Sequence, residues 1–134
     1  MLGFTVTAWG PEAGIPAAFL ALGDYHHHLG LNVFESAGGT PPSPDHTGLY
    51  HVALVYADAA ALADAVRRVL EAGHPVDAAT DHGATVSVYL RDPEGNGLEL
   101  YYDRPVARWT GPDGRPVLAN DPLELETVLA AAAG

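Results

Sequence analysis

The sequence predicts an α+β protein made of two strand-rich halves. Three observations predict it. Several short segments alternate apolar and polar residues at period two. A single mid-chain segment, Asp58–Ala72, places Leu62, Val66, Val69 and Leu70 at helical spacing. Between the halves, Glu35–Gly48 carries Gly-Gly, Pro-Pro and Ser-Pro steps, and the strand pattern restarts beyond it.

The elements follow in order. Gly3–Ala8 and Ala18–Leu22 read as strands, separated by the turn residues of Gly10–Gly14. Gly23-Asp24 signals a hairpin into a third strand, His26–Phe34. After the 35–48 linker, Tyr50–Tyr56 is a strand, Asp58–Ala72 a helix stopped by Gly73, and His74–Ala78 a short strand. Thr85–Leu90 alternates cleanly, Asp92–Gly97 is a tight turn, and Leu98–Tyr102 closes the second half. Past Asp103 the chain is irregular to Pro116. Asp121–Ala133 reads as a terminal helix with Asp121 as N-cap and Pro122 at its first position.

Composition excludes several function classes. The 134 residues suffice for one domain with a substantial core, and 48% are hydrophobic. No apolar run reaches membrane-spanning length, and the start lacks the features of a signal peptide. The formal net charge is −11, with six Lys and Arg, so nucleic acid and anionic membranes are repelled. The absence of cysteine excludes disulfides and thiolate metal sites and fits a cytoplasmic location. Seven histidines are the unusual feature, three of them consecutive at His26, His27 and His28.

Successive side chains of a strand point to opposite faces. If Val52 and Leu54 cover the helix, His51, Ala53 and Val55 face the other way. Leu98 and Leu100 leave Glu99 and Tyr101 together. Val86, Val88 and Leu90 leave Thr85, Ser87 and Tyr89 together. In the third strand Leu29, Leu31 and Val33 are the apolar set, opposed by His28, Gly30 and Asn32, with His26 in phase. One face then gathers His51, Glu99, Tyr89, His28 and His26. Burying such groups unpaired costs several kcal/mol each. A metal ion with exchangeable water relieves that cost.

Each candidate has a plainer alternative. His51 and Glu99 supply imidazole and carboxylate, donors that suit divalent iron, manganese, nickel or zinc; the alternative is a His–Glu ion pair or a solvent-facing sheet. Alternation lets at most two of His26, His27 and His28 face the same side, as a ligand or an acid/base group, or as a polar strand end. Asp81-His82-Gly83 precedes a strand, where a loop can close over a substrate, though a lone His in a turn is more often a surface residue. Tyr89 can donate to a substrate oxygen or simply line a wall. Gly95-Asn96-Gly97 is a turn signal, and nothing resembles a phosphate-binding loop.

Taken together, the motifs resemble a known family. They are Gly48-Leu49-Tyr50-His51-Val52-Ala53, Asp81-His82-Gly83, Tyr89-Leu90-Arg91-Asp92-Pro93-Glu94-Gly95-Asn96-Gly97-Leu98-Glu99-Leu100-Tyr101, Asp103-Arg104-Pro105 and Trp109, with Tyr25–Asn32 earlier in the chain. They resemble the catechol 2,3-dioxygenase-like branch of the vicinal oxygen chelate superfamily, which also holds glyoxalase I and the bleomycin-resistance proteins. The resemblance runs from about Leu2 to Trp109.

The resemblance implies paired βαβββ modules forming a β-cup around a divalent metal, usually Fe(II), held by two His and one Glu. His51 matches the second His and Glu99 the Glu. His28 matches the His that acts as acid/base on a bound catechol, and His82 and Tyr89 match the His and Tyr that contact substrate oxygens. Residues 1–34 match a first module without its opening strand and helix, 35–48 the linker, and 49–103 the second module. Residues 104–134 form a C-terminal extension. The first metal His, on that opening strand, has no counterpart. The expected accounts are a longer protein, His26 or His28 as third ligand, or completion of the cup by a partner subunit. Missing elements would expose core and a strand edge, which favours a homodimer or higher assembly. The functions that follow as expectations are an extradiol dioxygenase acting on a small catechol-like molecule, a metal-free small-molecule binding protein of bleomycin-resistance type or an inactive truncated relative, and a glyoxalase-type isomerase or other lyase.

Overall fold

The structure, a computed structural model, describes residues 1–131 of the chain. It divides into two compact units, Met1–Pro44 and Asp45–Gly134. The first holds a three-stranded antiparallel sheet of β1 (Thr5–Trp9), β2 (Ala17–Ala21) and β3 (Leu29–Asn32), with β2 in the middle. A 3₁₀ turn, Gly10–Ala13, links β1 to β2. Ala17 and Ala21 are buried on the central strand, while Val6, Trp9, Leu31, Val33 and Phe34 are exposed. Thus Leu31 and Val33, expected to be covered, are not.

The third strand also begins later than expected. Leu22–His28 is a loop, so Gly23-Asp24 does not close a tight hairpin. The loop is pinned by its own polar groups. Thr7 Oγ1 donates to the His26 carbonyl at 2.6 Å, the Leu22 amide donates to His28 Nδ1 at 3.2 Å, and the His28 amide donates to the Leu20 carbonyl at 2.8 Å. Tyr25 packs its ring against His26 and His28, with centroids 4.1 and 4.8 Å apart. These local bonds replace the ladder that alternation assumed, so strand phase places neither His26 nor His28.

The second unit has the order strand, helix, strand, strand, strand: β4 (His51–Tyr56), α1 (Ala59–Glu71), β5 (Ala78–Asp81), β6 (Thr85–Arg91) and β7 (Gly97–Asp103). A two-residue strand, β8 (Asp121–Pro122), and a short helix, α2 (Leu125–Ala130), follow. The sheet order is β4-β7-β6-β5-β8. β4 runs parallel to β7, and the other pairings are antiparallel.

Each element has a local cause. Asp58 caps α1, its side chain accepting from the Ala61 amide at 2.8 Å. Gly73, at φ +75°, lets the chain leave the helix. Asp92 organises the β6–β7 turn by accepting from the Glu94 and Asn96 amides. Leu62, Ala63, Ala65, Val66 and Val69 of α1 are buried, together with Val86, Val88, Leu90 and Leu100 from the sheet. Leu70 is exposed, because it lies off the stripe through Leu62, Val66 and Val69.

Two expectations fail in this unit. The strand placed at His74–Ala78 lies at Ala78–Asp81, where it pairs with β6. Asp121 and Pro122 do not open the last helix. They pair with Asp81 and Thr80 on the free edge of β5, and the helix starts at Leu125. An unpaired strand edge offers hydrogen bonds that a two-residue segment can take without helical geometry. The expected end of that helix, Ala133, lies outside the described residues.

Leu100 is fully buried between α1 and the sheet. Its replacement by Ala is expected to destabilise the protein by about 2–5 kcal/mol in urea unfolding. Asp58→Ala, which removes only a cap, is expected to cost about 1 kcal/mol.

Candidate functional site

The site is built on the face of the second sheet that α1 does not cover. In the parallel pairing of β4 with β7, His51 is level with Gly97 and Ala53 with Glu99. His51 and Glu99 are therefore two positions apart on one face of adjacent strands. A Cβ added at Gly97 would press on the Tyr50 carbonyl oxygen and lie 3.0 Å from the His51 Cβ. Gly97 thus does more than turn the chain: its bare backbone admits β4 at the distance that brings His51 to Glu99. Across the β6–β7 ladder, Tyr89 is directly opposite Glu99.

The side chains form one continuous line. His51 Nε2 lies 3.1 Å from Glu99 Oε2. Tyr89 donates its hydroxyl to Glu99 Oε1 at 2.8 Å. His82 Nε2 lies 2.8 Å from the same hydroxyl, and its Nδ1 lies 3.3 Å from the Ala119 carbonyl. Burial, with the bond to Glu99 adding to it, pushes the Tyr89 pKa up to about 12, so the phenol remains a proton donor through the neutral range. His51 Nδ1 is buried and has no hydrogen-bond partner. The imidazole is oriented by its Nε2 contact and by packing on Tyr50 and Tyr89, with ring centroids 5.2 and 6.1 Å away. On the same face Ala53 and Val55 are exposed, so the line of polar groups opens onto an accessible, partly apolar floor.

His82 comes from the β5–β6 connection. Asp81 accepts from the Gly83 amide at 2.8 Å, and Gly83 turns the chain at φ +78°. Asp81 also forms an ion pair with Arg104, whose carbonyl accepts from Trp109 Nε1 at 3.0 Å. The motif residues Asp81, Arg104 and Trp109 thus support the loop that carries His82.

Four of the sequence-predicted residues, His51, Glu99, Tyr89 and His82, are brought together. His26, His27 and His28 lie in the first unit. All three are exposed, with His26 and His27 facing each other at 2.8 Å between their Nδ1 atoms. Sequence reasoning missed Gly97 as a packing residue and the Ala119 carbonyl as a partner of His82. The first was masked by its turn neighbours, and the second has no side-chain signal.

Residues 1–100 match the family model of the Glyoxalase/Bleomycin resistance protein/Dioxygenase superfamily. The chain belongs to this superfamily. It is 36% identical over 89 residues to a catechol-2,3-dioxygenase of Bacillus subtilis (strain 168), covering 66% of this chain and 31% of that protein. It is 34% identical over 87 residues to biphenyl-2,3-diol 1,2-dioxygenase 3 of Rhodococcus globerulus, covering 63% of this chain and 45% of that one. The chain thus spans less than half the length of either relative. Among solved structures, a lactoylglutathione lyase from Agrobacterium tumefaciens superposes with a TM-score of 0.46 at 24% identity, over 64% of this chain and 67% of that one. The strand–helix–strand–strand–strand order of the second unit is α+β, the class that the sequence predicts. No helix among the described residues is long and apolar enough to cross a membrane.

Enzymes of this family use divalent metals, and the donors present bear on whether this chain suits one. Two donors bound side by side to one ion at about 2.1 Å each are roughly 3 Å apart. His51 Nε2 and Glu99 Oε2 have that spacing, and their chemistry is the imidazole and carboxylate of a non-haem iron site. Among the described residues, no group of three or more His, Cys, Asp or Glu side chains is arranged to hold a metal. The fit is therefore to two protein donors with further positions open.

Two outcomes follow. A raised phenol pKa contributes stability that is complete below pH ~10 and lost as pH rises towards about 12. Tyr89→Phe is therefore expected to flatten the fall in melting temperature between those values relative to the unsubstituted protein. Gly97→Ala is expected to push β4 off β7 and to part His51 from Glu99, read as loss of the NMR cross-peaks between the His51 and Tyr89 rings.

Proposed function

We propose that the chain is the catalytic part of a metal-dependent extradiol dioxygenase, with His51 and Glu99 as ligands of a divalent metal, Fe(II) in the first instance, and a catechol-type substrate. The observation that carries this reading is the line His51–Glu99–Tyr89–His82, with successive contacts of 2.8–3.1 Å on an open sheet face. The names of the two dioxygenase relatives supply the substrate class.

A bound metal would supply Lewis acidity and electron transfer while holding the two reactants together. The chain's own residues do the rest. Tyr89 fixes the Glu99 carboxylate through Oε1, leaving Oε2 towards His51. With its pKa pushed up to about 12, Tyr89 keeps its single hydroxyl hydrogen and can turn it from Glu99 to an arriving substrate oxygen. His82, hydrogen-bonded to that hydroxyl, is placed to exchange a proton with the same oxygen. Exposed Ala53 and Val55 offer an apolar floor to an aromatic ring. His28 stays a candidate acid/base group on the resemblance alone, and a cytoplasmic homodimer accords with the lack of cysteine and the exposed apolar residues of the first unit.

A second reading has its own observation. The His51–Glu99 contact is also an ordinary hydrogen-bonded pair that stands without metal, and the described residues gather no third donor. On this reading the open face sequesters a small molecule.

Anaerobic titration with Fe(II) separates the two. The extradiol reading expects metal uptake that Glu99→Gln weakens at least about tenfold, since even groups that only support a ligand are worth about 10–100-fold. Equal uptake by the two proteins, with catechol raising the melting temperature of both whether metal is present or not, would establish sequestration instead.

A further inference from the structure

Tyr50 stands next to His51 and is 87% exposed, more than any other large hydrophobic side chain among the described residues. A lone exposed apolar residue is ordinary. Tyr50 differs in where its ring is held. Successive side chains of an extended strand diverge to opposite faces. The rings of Tyr50 and His51 nevertheless have centroids 5.2 Å apart, at an interplanar angle of 55°. β4 begins at His51, so Tyr50 lies just outside the ladder and is free of its alternation. Its ring has turned to the side that carries His51.

The backbone fixes this arrangement. Only the bare backbone of Gly97 leaves room for the Tyr50 carbonyl oxygen, so the close approach that brings His51 to Glu99 also seats Tyr50. Burial chiefly raises the Tyr89 pKa, and the charge of an ionised Tyr50 adds to the rise, as a phenol close by should. The His51 ring thus has Tyr50 on one contact and Tyr89 on another. The surroundings are uncharged. The chain has a formal net charge of −11, yet residues 47–57 hold no Asp, Glu, Lys or Arg. An exposed phenol ring with an unpaired face, beside an accessible polar pair and an apolar floor, is a surface that a flat neutral ring can cover.

We propose that Tyr50 is a substrate-contacting residue whose ring packs on the face of an aromatic molecule held at the His51–Glu99 pair, and so selects an aromatic vicinal diol over a saturated one. The role rests on the site of the proposed function but not on its chemistry, since packing needs the ring and neither metal nor dioxygen.

Anaerobic calorimetric titration of the full chain with catechol and with cis-cyclohexane-1,2-diol, each with and without Fe(II), tests it. The two ligands share the vicinal oxygens and differ in the aromatic face. Tyr50→Ala is expected to weaken catechol binding about two- to tenfold, the range of an aromatic pair, and to leave the saturated diol unaffected. Tyr50→Phe, which keeps the ring, is expected to bind catechol as the unsubstituted protein does. The NMR cross-peaks between the His51 and Tyr89 rings are expected to persist in Tyr50→Ala, which shows that the site itself has not moved. Catechol affinity indifferent to Tyr50→Ala overturns the proposal. So does equal weakening of both diols, or loss of those cross-peaks, because Tyr50 would then act by holding His51. A changed oligomer mass with unchanged catechol affinity would assign the ring to an interface between copies instead. Tyr50-dependent catechol binding without Fe(II) uptake or ring cleavage would remove the proposed function and keep this contact, whereas ring cleavage indifferent to Tyr50 would do the reverse. Catechol bound in neither condition removes both.

Discussion

The parallel contact between β4 and β7 is the constraint on which the rest of the second unit depends. A parallel neighbour cannot be reached by a tight turn, so the chain must cross over the sheet, and α1 makes that crossing. The crossing buries Leu62, Val66 and Val69 against Leu100 and Val88, which provides the core. With the β5–β6–β7 meander that follows, it also returns β7 beside β4, setting residues some fifty positions apart in sequence on neighbouring backbones. His51 and Glu99 meet only because of that return. The closeness of approach at Gly97 decides whether they meet at 3.1 Å or only as neighbours on a surface.

The two faces of this sheet divide the work. The helix-bearing face is apolar and closed, with Val86, Val88, Leu90 and Leu100 all buried. A depression between α1, α2 and the sheet, lined by Val86, Tyr102, Arg104, Leu123 and Thr127, belongs to that face and not to the site. The other face keeps titratable groups at intermediate burial, where each has a partner but none is sealed from water. Full burial would impose a desolvation cost on Glu99 and both imidazoles that a chain of single hydrogen bonds does not offset. Full exposure would screen them from one another. Intermediate burial is the condition in which a carboxylate can trade a hydrogen bond for a metal and an imidazole can change its protonation.

Much of this was legible in the sequence because period-two alternation carries through β4, β6 and β7. Val52, Val86, Val88 and Leu100 declare the covered face, and His51, Tyr89 and Glu99 fall opposite by parity alone. Parity works only inside a strand, which is why it failed for His26 and His28. Their loop is held by the Thr7 hydroxyl and by the Leu22 and Leu20 backbones, a set of partners that no pattern of residue types announces. The same limit explains Asp121-Pro122. As a sequence it is a good helix start, but the open edge of β5 offers hydrogen bonds that local preference does not include. Gly97 illustrates a third limit: a glycine in a turn-rich stretch does not disclose that a second strand passes against its backbone.

The Ala119 carbonyl extends that point from folding to chemistry. His82, Tyr89 and Glu99 are side chains of recognisable types, and their identities alone permit either direction of proton movement. The Nδ1 atom of His82 faces an acceptor that any residue at position 119 would supply, since it belongs to the backbone. A carbonyl can only accept, and the single hydroxyl hydrogen of Tyr89 goes to the Glu99 carboxylate, so each ring nitrogen of His82 faces an oxygen that can accept from it. The setting of the His82 ring is thus a property of how the segment beyond β7 is laid over the β5–β6 turn.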